Sequence, residues 1–134
     1  MKTEITGVDD VQELLESIAP RHAVNIMRAT VHGIAGTIRD DAKDNMQEDT
    51  GTMKKATKAK RERTKNGIIW STVRVAPEAF YWRYEEYGQG PDGLAKDMFM
   101  KAVADYRANS DQIFVQEFGK KFEAALARER RKQS

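Results

Sequence analysis

The stretch F-Y-W-R-Y-E-E-Y-G-Q-G-P-D-G, residues 80–93, decides how the rest of the chain is read. Phe80, Tyr81, Trp82, Tyr84 and Tyr87 fall within one short window. Each aromatic side chain can remove about 150–250 Å² from water, so a small domain places such a cluster where it buries a wedge or anchors a partner. Glycines and a proline come next; they break regular structure and reverse the chain. The segment is an aromatic plug followed by a corner, and its neighbours must pack around it.

Working backward, Gly67 to Val75, G-I-I-W-S-T-V-R-V, is rich in β-formers and partly alternates. Asn66-Gly67 just before it is a hairpin turn signal, since both residues accept positive φ. Thr52 to Arg63 carries no helical stripe, so it reads as the first, very basic arm of the hairpin. Two strands alone are marginal, which leads us to expect a third short strand at Thr3 to Val8 or after Pro77. Further upstream, Val24, Met27, Val31, Ile34, Ile38, Ala42 and Met46 recur at steps of three and four. That period specifies one long amphipathic helix from Arg21 to about Gln47. Gly33 and Gly36 each weaken it by about 1 kcal/mol relative to alanine, which is tolerable where another element packs closely. Asp9 and Asp10 can cap a shorter helix to about Ser17, carrying Val11, Leu14, Leu15 and Ile18, and Pro20 ends it or begins the next.

Working forward, Met98, Phe99, Ala102, Val103 and Tyr106 share a helical face within Leu94 to Tyr106. Ala108 to Asp111 interrupts it, and Ile113, Phe114, Phe118, Phe122 and Leu126 continue at four-residue steps before a charged tail. The expectation is a single α+β domain over residues 1–134. A small antiparallel sheet with a long basic hairpin packs against a long N-terminal amphipathic helix and a C-terminal helix. Its parts are an N-terminal strand or arm (1–8), helices (9–48), the hairpin (52–76), the aromatic turn (80–93) and a C-terminal helical segment (94–130). The expected core is Val24, Met27, Val31, Ile34, Ile38, Trp70, Phe99, Val103, Phe114 and Phe118.

With 134 residues, 40% apolar and 33% charged, the chain suits one domain with large solvated or subunit-facing polar surfaces. Without cysteine, disulfides and thiolate metal sites are excluded. No apolar run reaches the roughly 18 residues that span a bilayer, and the first residues lack a signal-peptide core. A soluble protein made in the cytoplasm is the expectation. The net charge of +2 hides an uneven distribution. Positive charge gathers between Met53 and Lys65 and in the tail, against an acidic island at Asp40, Asp41 and Asp44. Such a dipolar surface favours oriented association with a charged partner.

Several patterns imitate chemistry. Gly88-x-Gly90-x-x-Gly93 matches a dinucleotide fingerprint, but an apolar strand does not precede it and Pro91-Asp92 occupies the place of the helix start. Asp49-Thr50-Gly51 copies an aspartic-protease triplet in polar surroundings, where a helix stop is the better account. His22 and His32 lie on different helix faces and do not form a ligand pair. The adjacent acids Glu85-Glu86 and Asp40-Asp41 read as solvated. No catalytic site, cofactor site or metal site is expected, and the chain does not read as an enzyme. Lys54, Lys55, Lys58, Lys60, Arg61, Arg63 and Lys65 could track phosphates, yet no aromatic interleaves them for base stacking. Lysines on an edge strand also block unwanted pairing. A small nucleic-acid-binding regulator that uses this basic arm (53–65) is the alternative reading.

The order of features resembles the tail-completion or head–tail joining proteins of long-tailed bacteriophages and related prophages. The matching motifs are G-V-D-D-V-Q-E-L-L near the start, then D-T-G-T-M at the end of the long helix. F-Y-W-R-Y-E-E-Y-G stands for a Y-A-x-Y-x-E-x-G signature, and M-F-M-K-A-V for a P-F-L-x-P-A helix start. In the last, Met98 and Ala102 replace both prolines. The resemblance implies a structural virion protein of the neck or head-proximal tail end, made in the host bacterial cytoplasm. It further implies a homo-oligomeric ring, commonly hexameric, beside neck, tail-terminator or tail-tube proteins. DNA passing through the lumen would be met non-specifically, and no membrane is involved. Two unlike adhesive patches suit a closed ring. The hairpin cations just named, together with Tyr84, Glu85, Tyr87, Gly88 and Gly90 at the corner, are the expected interface.

Overall fold

The structure, a computed structural model, describes residues 7–46, 51–79, 81–89, 93 and 95–133. Two long helices and a two-stranded sheet organise it. Helix α1 (Val8–Ser17) begins where the Gly7 N–H donates to the Asp10 carboxylate at 3.2 Å. Pro20 opens α2 (Pro20–Asp44) at its first turn, where a missing N–H costs nothing. After α2 come a single helical turn, α3 (Thr52–Ala56), then strands β1 (Thr57–Arg61) and β2 (Ser71–Val75). A 3-10 turn at Pro77–Ala79 leads into α4 (Trp82–Tyr87), followed by α5 (Met98–Ala108) and α6 (Ser110–Gln133). This is the expected α+β layout.

The hairpin is antiparallel, with Thr57 opposite Val75 and Arg61 opposite Ser71. Its turn is set by Asn66 and Gly67, both at positive φ (54° and 76°). Lys65 and Ile68 exchange backbone hydrogen bonds of 3.2 and 2.9 Å across that turn, the geometry that Asn-Gly favours.

Three expectations change. Thr52–Ala56 is helical and not strand, because Met53 and Ala56 point together into the core while the Thr57 hydroxyl donates to Met53 O at 2.7 Å. One turn of helix is too short to show a stripe in sequence. The sheet has two strands among the described residues, and the segment after Pro77 forms the 3-10 turn instead. Among the described residues its support comes from packing on α2. Residues 3–6 lie outside the described ones. Finally, Trp82–Tyr87 of the aromatic plug is a short helix.

Two apolar clusters hold the domain. One joins Ala42 and Met46, in and just past the last turn of α2, to Met53, Ala56, Ala79, Met98 and Ala102, with Ile38, Tyr81, Trp82 and Phe99 packed on it. The other joins Val11, Ile26, Phe118 and Phe122, with Met27 and Phe114 against it. Phe114, Phe118 and Phe122 stack along α6 at centroid spacings of 6.5 and 5.8 Å. Ile34 is buried and Val31 half-buried. Val24, Trp70 and Val103, expected in the core, are 44%, 43% and 36% exposed. On the first half of α2 the face covered by α1 and α6 carries Ile26 and Thr30, rotated from the Val24–Met27–Val31 line. Thr30 escaped notice because it is polar; its hydroxyl is satisfied by Ile26 O at 2.8 Å. Trp70 lies on the hairpin, and Val103 faces away from α2. Gly33 does admit a close neighbour, the Glu117 side chain, which a Cβ there would displace, whereas a Cβ at Gly36 would stand an ordinary 3.5 Å from the Arg39 side chain.

Urea denaturation checks this division. Phe118→Ala is expected to destabilise by about 3–5 kcal/mol, and Val24→Ala by no more than about 0.5 kcal/mol.

Candidate interaction surface

The hairpin has two unlike faces. Ser71 meets His32 of α2, with its Oγ 3.4 Å from Nδ1, so the odd-numbered residues of β2 face inward. Thr72 and Arg74 face outward by strand alternation, and Trp70 and Ile68 continue that parity toward the tip. The outward residues of β1 are Lys58 and Lys60. Lys58 stands directly opposite Arg74, a like-charge pair that weakens the hairpin. Glu62 relieves it in part, accepting from Arg74 Nη2 at 2.8 Å and from the Thr72 hydroxyl at 2.9 Å. Lys58 and Lys60 are exposed and make no ion pair with a described residue. Ile68, 64% exposed, and Trp70 add apolar area at the tip, where the Trp70 indole N–H donates to Arg63 O at 3.0 Å.

The seven basic residues of this region therefore do not form one stripe. Lys54 and Lys55 ride on α3; Lys58 and Lys60 face outward; Arg63 and Lys65 sit in the tip. Arg61 is on the inward parity beside His32, whose pKa is lowered by burial first and then by Arg61, Arg39 and Lys121.

At the corner, Glu86 is the decisive residue. Expected to be solvated, it is 1% exposed. Its carboxylate accepts the backbone N–H of Phe99 at 2.8 Å and that of Met100 at 3.1 Å. These are orphan donors of the first turn of α5. Asp97, the residue before that helix, has φ 49° and makes no side-chain cap, so the cap comes from α4, thirteen positions back from Phe99. Trp82 packs edge-on against Phe99 at 5.1 Å beside it. Gly88 turns the chain at φ 76°, and a Cβ there would stand 3.0 Å from the Ala95 nitrogen. In the signature, Glu86 and Gly88 are thus the cap and its turn. Tyr87 is 58% exposed. Gly90 and the side chains of Tyr84 and Glu85 lie outside the described parts of the chain.

A third surface was only half visible in sequence. The acidic island of α2 is joined by Asp105 of α5. Burial first, then Asp105, Asp44 and Asp40, raise the pKa of Asp41 above 3.8. Arg39 pairs with Asp40 at 2.9 Å, while Asp41, Asp44 and Asp105 have no ion pair among the described residues. On the side of α5 away from Met98, a shallow groove runs between Phe99, Met100, Val103, Ala104, Arg107 and Ala108, with its Ala104–Ala108 wall the one turned toward Asp105. Among the described residues no three His, Asp or Glu side chains converge as a metal site, and no helix is long and apolar enough to cross a membrane.

A protein-family profile described as "Bacteriophage HK97-gp10, putative tail-component" matches residues 9–88. The chain belongs to this family. The match runs from α1 through α4 and stops at Gly88, so the HK97-gp10-like region contains the hairpin and Glu86, while α5 and α6 come after it. Comparison with curated proteins and with solved structures found no match.

The acidic flank makes a pH-dependent prediction. A carboxyl whose pKa is raised on folding contributes stability below its unfolded pKa and loses it as pH rises through the folded value. Asp41→Asn is expected to raise the melting temperature at pH 7, with the gain vanishing as pH falls below 3.8. Thermal scans across that range check it.

Proposed function

We propose that this protein is a structural part of the virion, positioned at the head-proximal end of the tail or at the neck. There it forms a ring of copies, six in the expected case, and helps join tail to head. The supporting observation is the hairpin. Its outward face is basic, its tip exposes Ile68 and Trp70, and no described part of the chain covers either. An exposed apolar tip beside unpaired charge suits a surface that another molecule covers. Membership in a phage tail-component family supplies the setting. Neck, tail-terminator or tail-tube proteins are the neighbours, and DNA in the lumen is touched only non-specifically. No substrate is transformed.

Deletion of the gene from the phage tests this. The expected outcome is filled heads and separate tails in the electron microscope with no infectious particles, restored by supplying the protein in trans. Normal particles without it would refute the proposal.

A further inference from the structure

The hairpin packs on the His32 side of α2, and the acidic flank lies on a different side of that helix. His32 and Ala42 mark the side that meets the hairpin and its neighbouring turn. At about 100° per residue, Asp41 comes out about half a turn from His32 and Asp44 about a third of a turn from it. The outward face of the hairpin points away from α2, and so from the acidic flank of its own copy. One face carries Lys58 and Lys60 beside Arg74, which Glu62 only partly neutralises; the other carries Asp41, Asp44 and Asp105, which repel one another. Each is a surface whose charges are relieved by the other.

Resting on the assembly reading above, we propose that the outward hairpin face of one copy docks on the acidic α2–α5 flank of a second copy. Lys58, Lys60 and Arg74 meet Asp41, Asp44 and Asp105. Ile68 and Trp70 reach the neighbouring groove along its Ala104–Ala108 wall. The contact is heterologous, since the two faces differ, and it continues from copy to copy until the rotation closes a ring.

Charge exchange between two variants of the full chain tests it. One variant carries Lys58→Glu, Lys60→Glu and Arg74→Glu; the other carries Asp41→Lys, Asp44→Lys and Asp105→Lys. Circular dichroism verifies that both fold, and sedimentation and native mass measurement read assembly, with and without isolated tails. Each variant alone is expected to associate about tenfold or more weakly than the natural chain. An equimolar mixture restores assembly, because each reversed face then meets its complement, and the copies alternate around the ring. If the natural chain assembles and either variant assembles as well as it does, or the mixture stays apart, the proposed pairing is wrong while the ring reading stands. A natural chain that remains a monomer even with tails overturns both. Steeply salt-dependent retention of duplex DNA that is lost in the hairpin variant, with assembly unchanged, overturns the pairing in favour of nucleic acid.

Discussion

The Glu86 carboxylate is the constraint on which the arrangement of this domain depends. Helices need acceptors for their first N–H groups, and an anion there also meets the positive end of the helix dipole. Helix α5 takes that acceptor from α4. A second tie fixes the same point: Asn45, just past the end of α2, donates its side-chain N–H to Met98 O at 3.0 Å. The start of α5 is thus held from two sides, by the corner and by the long helix. This anchoring sets everything α5 contributes: Met98 and Ala102 to the core, Asp105 to the acidic flank, Phe99 and Val103 to the groove. A buried carboxylate is tolerated here because it is hydrogen-bonded to two donors.

Much of this was legible in the residues. The long helix, the turn at Asn66-Gly67 and the helix break near Ala108 each come from local rules that tertiary structure had no cause to override. The illegible parts share one feature: they depend on contacts between segments far apart in sequence. Thr30 is fully buried, yet its hydroxyl bonds within its own helix, so nothing local distinguishes it from a surface threonine. Val24 continues an apolar period but falls outside the covered sector. Met53 and Ala56 make one helical turn because the core is on one side of it. Glu86 read as one of two adjacent surface acids, and only the amides of Phe99 and Met100 reveal its role. The signature spacing from Tyr84 to Gly88 held the signal, since an acid two positions before a left-handed glycine can reach the helix that starts beyond the turn.

The faces proposed to meet other molecules carry their own physical mark. A domain acting alone gains nothing by placing Lys58 across from Arg74 or by crowding aspartates at the end of α2, where the helix dipole already disfavours negative charge. These arrangements lower the stability of the single copy and become favourable only when opposite charge faces them. The same holds for Ile68 and Trp70, whose apolar area is left in water at the tip of a hairpin that two strands alone would barely support. In the proposed assembly such strain is relieved where copies meet.

Amide hydrogen exchange at Phe99 and Met100 tests the central claim most directly. The second and third residues of an uncapped helix exchange freely, as their N–H groups have no partner in the helix. In the natural chain both amides are expected to be protected, and Glu86→Gln is expected to reduce that protection by about tenfold or more, since a charged acceptor contributes about 1.5–3 kcal/mol. Free exchange at both amides in the natural chain, or equal protection with and without the carboxylate, would contradict it.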